Sequence, residues 1–404
     1  MKYDYDAIVV GARCAGASTA MLLARKGHRV LLVDRARFPS EIPHGHFIHR
    51  DGPPRLARWG LLDRIVTTGC PALTAQTSYF GDFPLVARNL EADGVARGYG
   101  PRRALLDKIL IDAAVDAGAD VREGLAVDGL LTDGDRVLGI RCIGATSITA
   151  RLTIGADGKH SHVARAVRAP EYETVPTLMC WYFSYYRDVP DPHTEMYVLP
   201  QRRAIFAFGT NDNLLAVFVG WPIDEFASVR TQLEASFMAT LDRAPGLGER
   251  MRVGHRVDRF FGTGDMPNFL RKPCGPGWAL VGDAGCHKDP FLAFGIADAL
   301  RDAELLAEAA DDGFSGKRLL EAALADYERA RNEATLPDYV ENLHMAQLGP
   351  FPPDVLRLRQ ALRDRPADAT AYVMARDGRI PREAFFNPHN LARIMASPPE
   401  PIAA

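Results

Sequence analysis

The chain has 404 residues, of which 47% are hydrophobic, and a formal net charge of −3. That length exceeds one simple core and predicts two lobes, while the near-neutral charge gives no footprint for nucleic acid or an anionic membrane. No apolar run reaches a membrane span, the first strand opens by residue 5 and leaves no room for a signal peptide, and six scattered cysteines without a C-x-x-C pair argue against a zinc site or a disulfide framework. The expected setting is a reducing cytoplasm, and the expected state a monomer or homodimer.

In chain order, residues 6–10 read as a buried strand that ends in Gly11 and leads through Ala12-Arg13-Cys14-Ala15-Gly16 into a helix over 18–26. A second strand, 29–33, ends at Asp34 and Arg35. Residues 49–68 read as helix, 71–100 as an excursion punctuated by Pro and Gly, and 103–117 as an amphipathic helix. Strands follow at 119–123, 125–131, 136–143 and 147–154, the last three as a meander. From about residue 172 to 270 the texture becomes aromatic, with strands at 178–187, 195–199, 204–209 and 214–221 and a helix over 225–241. A short strand, 278–281, then runs into Gly282-Asp283, a long helix covers 297–310, and a Pro-rich tail with helical stretches begins near residue 350. There are no internal repeats or low-complexity tracts.

The first strand, turn and helix present backbone N–H groups and a helix dipole to a pyrophosphate, and an acid such as Asp34 accepts from ribose hydroxyls. The middle glycine of the three that this turn favours is here Arg13. Its guanidinium either reaches back over the pyrophosphate or points to solvent. Cys14 at the helix start is either a small packing residue or a thiol of lowered pKa. A third glycine-marked segment runs Thr153-Ile154-Gly155-Ala156-Asp157-Gly158-Lys159-His160-Ser161-His162-Val163-Ala164-Arg165. Asp157 and Asp283 serve either a ligand or ordinary turn and helix-cap duty. The aromatic run Trp181, Tyr182, Phe183, Tyr185 and Tyr186 alternates on its strand, so half of it faces one side. Core packing accounts for it, or, with Phe206 and Phe208, the lining of an apolar pocket.

Together the three segments resemble the FAD-binding motifs of the class A flavoprotein aromatic hydroxylases, the family of para-hydroxybenzoate hydroxylase, related to the geranylgeranyl reductases and flavin-dependent halogenases. Arg102-Arg103-Ala104-Leu105-Leu106-Asp107 is similar to that family's helix start, whose arginine lies close to the flavin. The resemblance covers residues 1 to about 345. It implies an α/β fold: an FAD-binding, Rossmann-like domain of the glutathione-reductase type (1–75, 100–171 and 270–345) interleaved with a β-sheet substrate domain (76–99 and 172–269), then a helical tail (346–404). It implies non-covalent FAD held by Gly11, Arg13, Cys14, Ala15, Gly16, Asp34, Arg35, Arg103, Asp157, Gly158, Gly282, Asp283, Pro290, Gly295 and Ile296. His44, His46, Tyr182, Phe206, Phe208, Phe291 and Phe294 would contact substrate, and His46, Pro290 and Gly295 would stand at the reacting ring. NAD(P)H would reduce the flavin, oxygen would add at its C(4a) carbon, and the hydroperoxide would oxygenate a small aromatic or apolar substrate. The side chains His44, His46 and His49 form H-x-H-x-x-H, but no carboxylate or cysteine pattern accompanies them, so no metal is expected.

The chain departs from the family at several points. Cys286 follows Gly282-Asp283-Ala284-Gly285, with His287 displaced by one; Phe291-Leu292-Ala293-Phe294 replaces a glycine-rich bend; and Ala297 falls where relatives place an asparagine. Three other functions stay open. A halogenase would use a lysine, yet none lies between Lys26 and Lys108, and Trp221-Pro222-Ile223 is not the halogenase tryptophan motif. A reductase shares the three FAD motifs. A flavin-binding scaffold without turnover belongs to a different class.

Overall fold

Residues Tyr5–Val10 form β1, Cys14–Arg25 form α1, and Val30–Asp34 form β2. This computed structural model describes residues 3–42, 44–80, 83–144 and 146–396. Helix Arg103–Asp116 (α2) leads to strands Asp120–Glu123 (β3), Val127–Asp133 (β4), Arg136–Cys142 (β5) and Thr146–Gly155 (β6). The aromatic region supplies Met179–Arg187 (β7), Glu195–Leu199 (β8), Arg203–Thr210 (β9) and Leu214–Pro222 (β10). Strand Trp278–Leu280 (β11) then precedes Gly295–Phe314 (α3) and Leu320–Ala346 (α4).

Strands β3, β2, β1, β6 and β11 lie side by side and parallel, with β4 and β5 added antiparallel beyond the first half of β6. Parallel strands need both faces covered, which explains why they are apolar runs. On β1, Ala7 and Val9 pack with the helices α1, α2 and α3, whereas Ile8 and Val10 pack with the β4–β5–β6 meander and Val163. The register sets Val10 beside Val33 and Gly155, and Gly155 beside Leu280. Hence Gly11, Asp34, Asp157 and Gly282-Asp283, far apart in sequence, all follow strand ends on one edge. The chain passes from β1 to β2 and β3 on one side and returns to β6 on the other, so this edge holds a topological switch point, where ligands bind in open α/β sheets.

The second sheet runs β7–β10–β9–β8 and continues through Gln76–Phe80 and Pro84–Ala87. Every pair is antiparallel except β8 with Gln76–Phe80. Its two faces serve different partners. Trp181, Phe183 and Tyr185, with Phe206, Phe208 and Phe218, form the inner face, shared with Phe47, Phe291, Leu292 and Ala293 of the cofactor lobe. Cys180, Tyr182 and Tyr186 sit on the outer face against Phe237, Leu241 and Met251.

Two helices expected to be continuous are broken. The 49–68 segment is Gly52–Arg58 and Leu62–Thr67, because Gly60 takes a left-handed φ of 73°. The 225–241 segment breaks at Gln232 (φ −128°, ψ 47°) into Phe226–Thr231 and Leu233–Leu241. The tail forms helices Pro353–Leu362, Pro366–Arg376, Arg382–Phe385 and Pro388–Ala396, which pack with Leu85, Ala87 and Leu90. Among the described residues, no helix is long and apolar enough to cross a membrane.

Candidate active site

The first turn is built by close backbone approach. A Cβ on Gly16 would lie 1.7 Å from the Gly11 carbonyl oxygen, and one on Gly11 (φ 105°) would lie 2.5 Å from the Ala156 carbonyl oxygen. Gly282 (φ 61°) lies so near Ala15 that a Cβ would come within 2.7 Å of its methyl group. The three glycine-marked segments therefore touch. Helix α1 opens at Arg13 with no side-chain cap, which leaves its first amides to a ligand. Asp34 accepts from the Ala12 amide at 2.8 Å and from the Ala36 amide at 2.8 Å. Those two bonds fix its carboxylate, which keeps lone pairs for sugar hydroxyls.

A buried carboxylate organises the charges beside this turn. Asp107 accepts from Arg103 at 2.9 Å and from Arg13 at 2.5 Å. Arg13 also donates to the Ser40 hydroxyl at 3.0 Å and lies 5.1 Å from the Phe38 ring centroid. Neither expected orientation describes it: the guanidinium is spent on Asp107 and Ser40. The Cys14 thiol also meets Asp107, and burial pushes its pKa up to about 12, so it is a packing residue. His44 is solvent-accessible, yet desolvation is the largest cause that pushes its pKa down to about 4. The two facts agree if His44 lines a concave recess. Arg103, Arg13 and Lys159 push the same way and Asp283 opposes them, so three cations face that recess. A cationic recess at an uncapped helix N-terminus suits a pyrophosphate, whose anionic oxygens accept from free amides and cationic donors.

The remaining expected residues divide. Asp157 spends its carboxylate as a cap for His162–Ala166, accepting from the Ser161 hydroxyl at 2.5 Å and the His162 amide at 2.6 Å. Its segment serves the turn through backbone, Ala156 lying against Gly11. Gly158 is left-handed at φ 77°, and Arg35 is exposed. Pro290 and Gly295 are exposed, Ile296 is buried, and a Cβ on Gly295 meets nothing within 4 Å.

His46 is fully buried between the lobes. The Gly100 carbonyl only accepts, so Nδ1–H donates to it at 3.1 Å, and Nε2 accepts from the Tyr185 hydroxyl at 3.0 Å. Burial pushes its pKa down to about 3. With both nitrogens engaged it has no proton or lone pair for a reacting molecule, and its expected catalytic part gives way to a structural one. Tyr182 is corrected too: the two-residue period carries it to the outer face, beside Trp221 and Phe226. Phe208 is fully buried beneath His46 and Phe47, whereas Phe206 is partly accessible. Phe291 and Phe294 belong to the loop before α3. Phe291 meets Trp181 edge-on at 6.1 Å, and Phe294 stacks on His49 at 5.6 Å with the Arg50 guanidinium 4.5 Å from its centroid. His49 donates from Nε2 to the Leu292 carbonyl at 2.9 Å, so His46 and His49 have separate partners.

Sequence reasoning missed the buried polar hubs. Asp107 lay inside the quoted helix start without a role. Asp289 accepts from the Trp181 indole at 3.1 Å and the Phe291 amide at 3.0 Å. A buried tryptophan N–H needs an acceptor, and an aspartate before proline offers a cap. Those were the available signals. Nothing local foretold Asp377 of the tail, which reaches the buried Arg97 and lies 3.7 Å from His49. Burial opposes its charge, but Arg97 and His49 hold its carboxyl well below the usual range.

The family description "FAD binding domain" matches residues 4–236, which span the Gly11 turn, α2 and the Asp157 segment. The chain belongs to the FAD-binding-domain family. It is an FAD-dependent oxidoreductase. This FAD-binding chain is 24% identical over 356 residues to a digeranylgeranylglycerophospholipid reductase of Methanosarcina acetivorans, covering 83% of this chain and 82% of that one. Its fold is similar to that of the myxobacterial chondrochloren halogenase (TM-score 0.75, 21% identity, 97% of this chain and 95% of the other). It is likewise similar to PqsL, a probable FAD-dependent monooxygenase from Pseudomonas aeruginosa (TM-score 0.71, 20% identity, 92% and 99%).

Proposed function

We propose that the protein is a monooxygenase that uses NAD(P)H and O2 to oxygenate a small apolar, aromatic-sized molecule. The observation that carries this reading is the inner face of the second sheet. Phe206, Phe218, Phe261, Met196 and Val198 are partly accessible there and meet Leu292 and Ala293 of the loop before α3. Such a wall excludes water from the reacting centre. FAD fits the opposite side on the chain's own features: the Gly11–Gly16 turn, the oriented Asp34, and the three cations around His44. Neither packing nor backbone demands glycine at 295, whereas a flat ring against the start of α3 would.

When bound, FAD supplies the electron transfer and oxygen activation. The α1 N-terminus, Arg103 and Lys159 bind the pyrophosphate, Asp34 the ribose, and Asp283 the ribityl chain. Pro290 and Gly295 border the ring, and the positive end of α3 stabilises negative charge upon it. Phe206, Phe218 and Phe291 orient the substrate and keep the centre dry. The six free cysteines support a cytoplasmic setting. A second reading, reduction of a carbon–carbon double bond, draws on the likeness to the archaeal reductase.

Turnover with labelled O2 separates the two. The monooxygenase reading expects substrate-stimulated NAD(P)H consumption coupled to oxygen uptake, with one labelled atom in the product. Repeated turnover under strict anaerobiosis overturns it. In the same preparation, acid precipitation should release the flavin, and Asp283→Ala should weaken FAD binding by about tenfold or more, the cost of one charge-assisted hydrogen bond.

A further inference from the structure

The loop between β11 and α3 is clamped by side chains from distant elements. The Asp289 amide donates to Asn268 Oδ1 at 2.7 Å, and Asn268 donates in turn to the Pro176 carbonyl at 3.1 Å. Asn342 of α4 donates to the Asp289 carbonyl at 2.8 Å and accepts from the Leu292 amide at 3.0 Å. His49 holds the Leu292 carbonyl. Asp289 is the centre of this set. Its Oδ1 takes both the Trp181 indole and the Phe291 amide, while its Oδ2 is buried with no hydrogen-bond partner. Asp289 is 2% exposed, Asn268 0% and Asn342 1%, so each bond is shielded from water.

Packing alone does not ask for an acid here. Trp181 and Phe291 are already in ring contact, and an apolar residue at 289 would fill the site without an orphaned oxygen. An aspartate does what an apolar residue cannot: one oxygen joins the inner wall of the second sheet to the backbone of the loop that ends at Gly295. Left-handed Ala293 (φ 54°) follows in the same loop, an uncommon conformation for a residue with a Cβ, held by bonds on both sides. We propose that Asp289 is a positioning residue, which locks the Trp181 wall to the loop bordering the flavin so that wall and ring keep one spacing. This rests on the reading above that the flavin ring lies against Pro290 and Gly295. Burial supports the assignment by pushing the carboxyl up to about 7, against the bonds from Trp181 and Phe291 that lower it. The neighbouring Lys288 is committed to Asp298.

The test uses the full chain loaded with FAD, comparing Asp289→Asn, Asp289→Ala and Trp181→Phe. The amide oxygen of asparagine accepts from both donors, so Asp289→Asn should keep the wild-type flavin absorption spectrum and rate of flavin reduction by NAD(P)H. Asp289→Ala and Trp181→Phe should bind FAD within about threefold of wild type, because the pyrophosphate recess is untouched, but should alter the spectrum and slow reduction by about tenfold, the equivalent of one buried hydrogen bond. The double variant should be no worse than Asp289→Ala alone, since both remove one link. The proposal is overturned if Asp289→Asn behaves as Asp289→Ala, or if Asp289→Ala and Trp181→Phe leave spectrum and rate unchanged. Trp181→Phe alone decides the matter if Asp289→Ala does not fold. A wild-type chain that binds no FAD overturns the functional reading instead, which keeps the two failures apart.

Discussion

The strand-end edge that cradles the cofactor and the aromatic wall that faces it are specified in different currencies. At the edge the determinants are backbone: Gly11, Gly16 and Gly282 are required because chain meets chain at distances no Cβ tolerates. At the wall they are side chains, whose parity on β7 and buried polar bonds to Asp289 decide which rings face the cofactor lobe. The contrast teaches that the cofactor edge is held rigid by backbone contacts that leave no room for a side chain, whereas the facing wall depends on which side chains turn inward.

The sharpest way to break the contrast is Gly16→Ala. Its methyl would meet the Gly11 carbonyl, a backbone atom that cannot turn aside. A cost of more than about 4 kcal/mol is expected, seen as loss of folded, FAD-binding protein by thermal melting and FAD titration. Binding within about threefold of wild type would mean the turn is not the rigid half.

The wall is probed by pH. Burial pushes the Asp289 carboxyl up to about 7 in the folded chain, against about 3.9 for an unperturbed aspartate. A raised carboxyl pKa favours the protonated form, so its stability contribution is full below about pH 4 and is lost as pH rises through 7. Wild type should therefore fall behind Asp289→Asn across that window, by roughly 4 kcal/mol above pH 7, in denaturant titrations at several pH values. A pH-independent gap would remove Asp289 from the account.

Smallest is Ala293→Gly. Relief of the left-handed alanine is worth about 1–2 kcal/mol, offset by about 0.4–1 kcal/mol of added freedom in the unfolded chain. A net gain near 0.5 kcal/mol should appear as a slightly higher Tm. A clear loss would show that the loop is not strained there.

These differences explain what was legible in the sequence. Strands β1 to β11 fall within two residues of where pattern reading puts them, because apolar runs and glycine punctuation are local signals, whereas Gln76–Phe80 and Pro84–Ala87 lie in a segment read only as an excursion. The convergence of Gly11, Asp34 and Gly282-Asp283 followed from strand-end chemistry. Tyr182 was misassigned because both parities of β7 carry aromatic residues, so alternation alone left the inward set undetermined. His46 looked available because its partners, Gly100 and Tyr185, lie 54 and 139 residues away. Arg13 fits the glycine position through its backbone, and its true partner, Asp107, is 94 residues on.

The Arg97–Asp377 pair spans 280 residues, and it joins the excursion before α2 to the last helices. At about 5–20 residues per second, a ribosome takes on the order of fifteen seconds to a minute to cover that interval. Throughout it, Arg97 has a burial site but no counter-ion, and the edge strands Gln76–Phe80 and Pro84–Ala87 await β8 and the tail. The nascent chain therefore emerges with an unfinished sheet edge. Such an edge stays open to pairing with another chain until the tail packs against it.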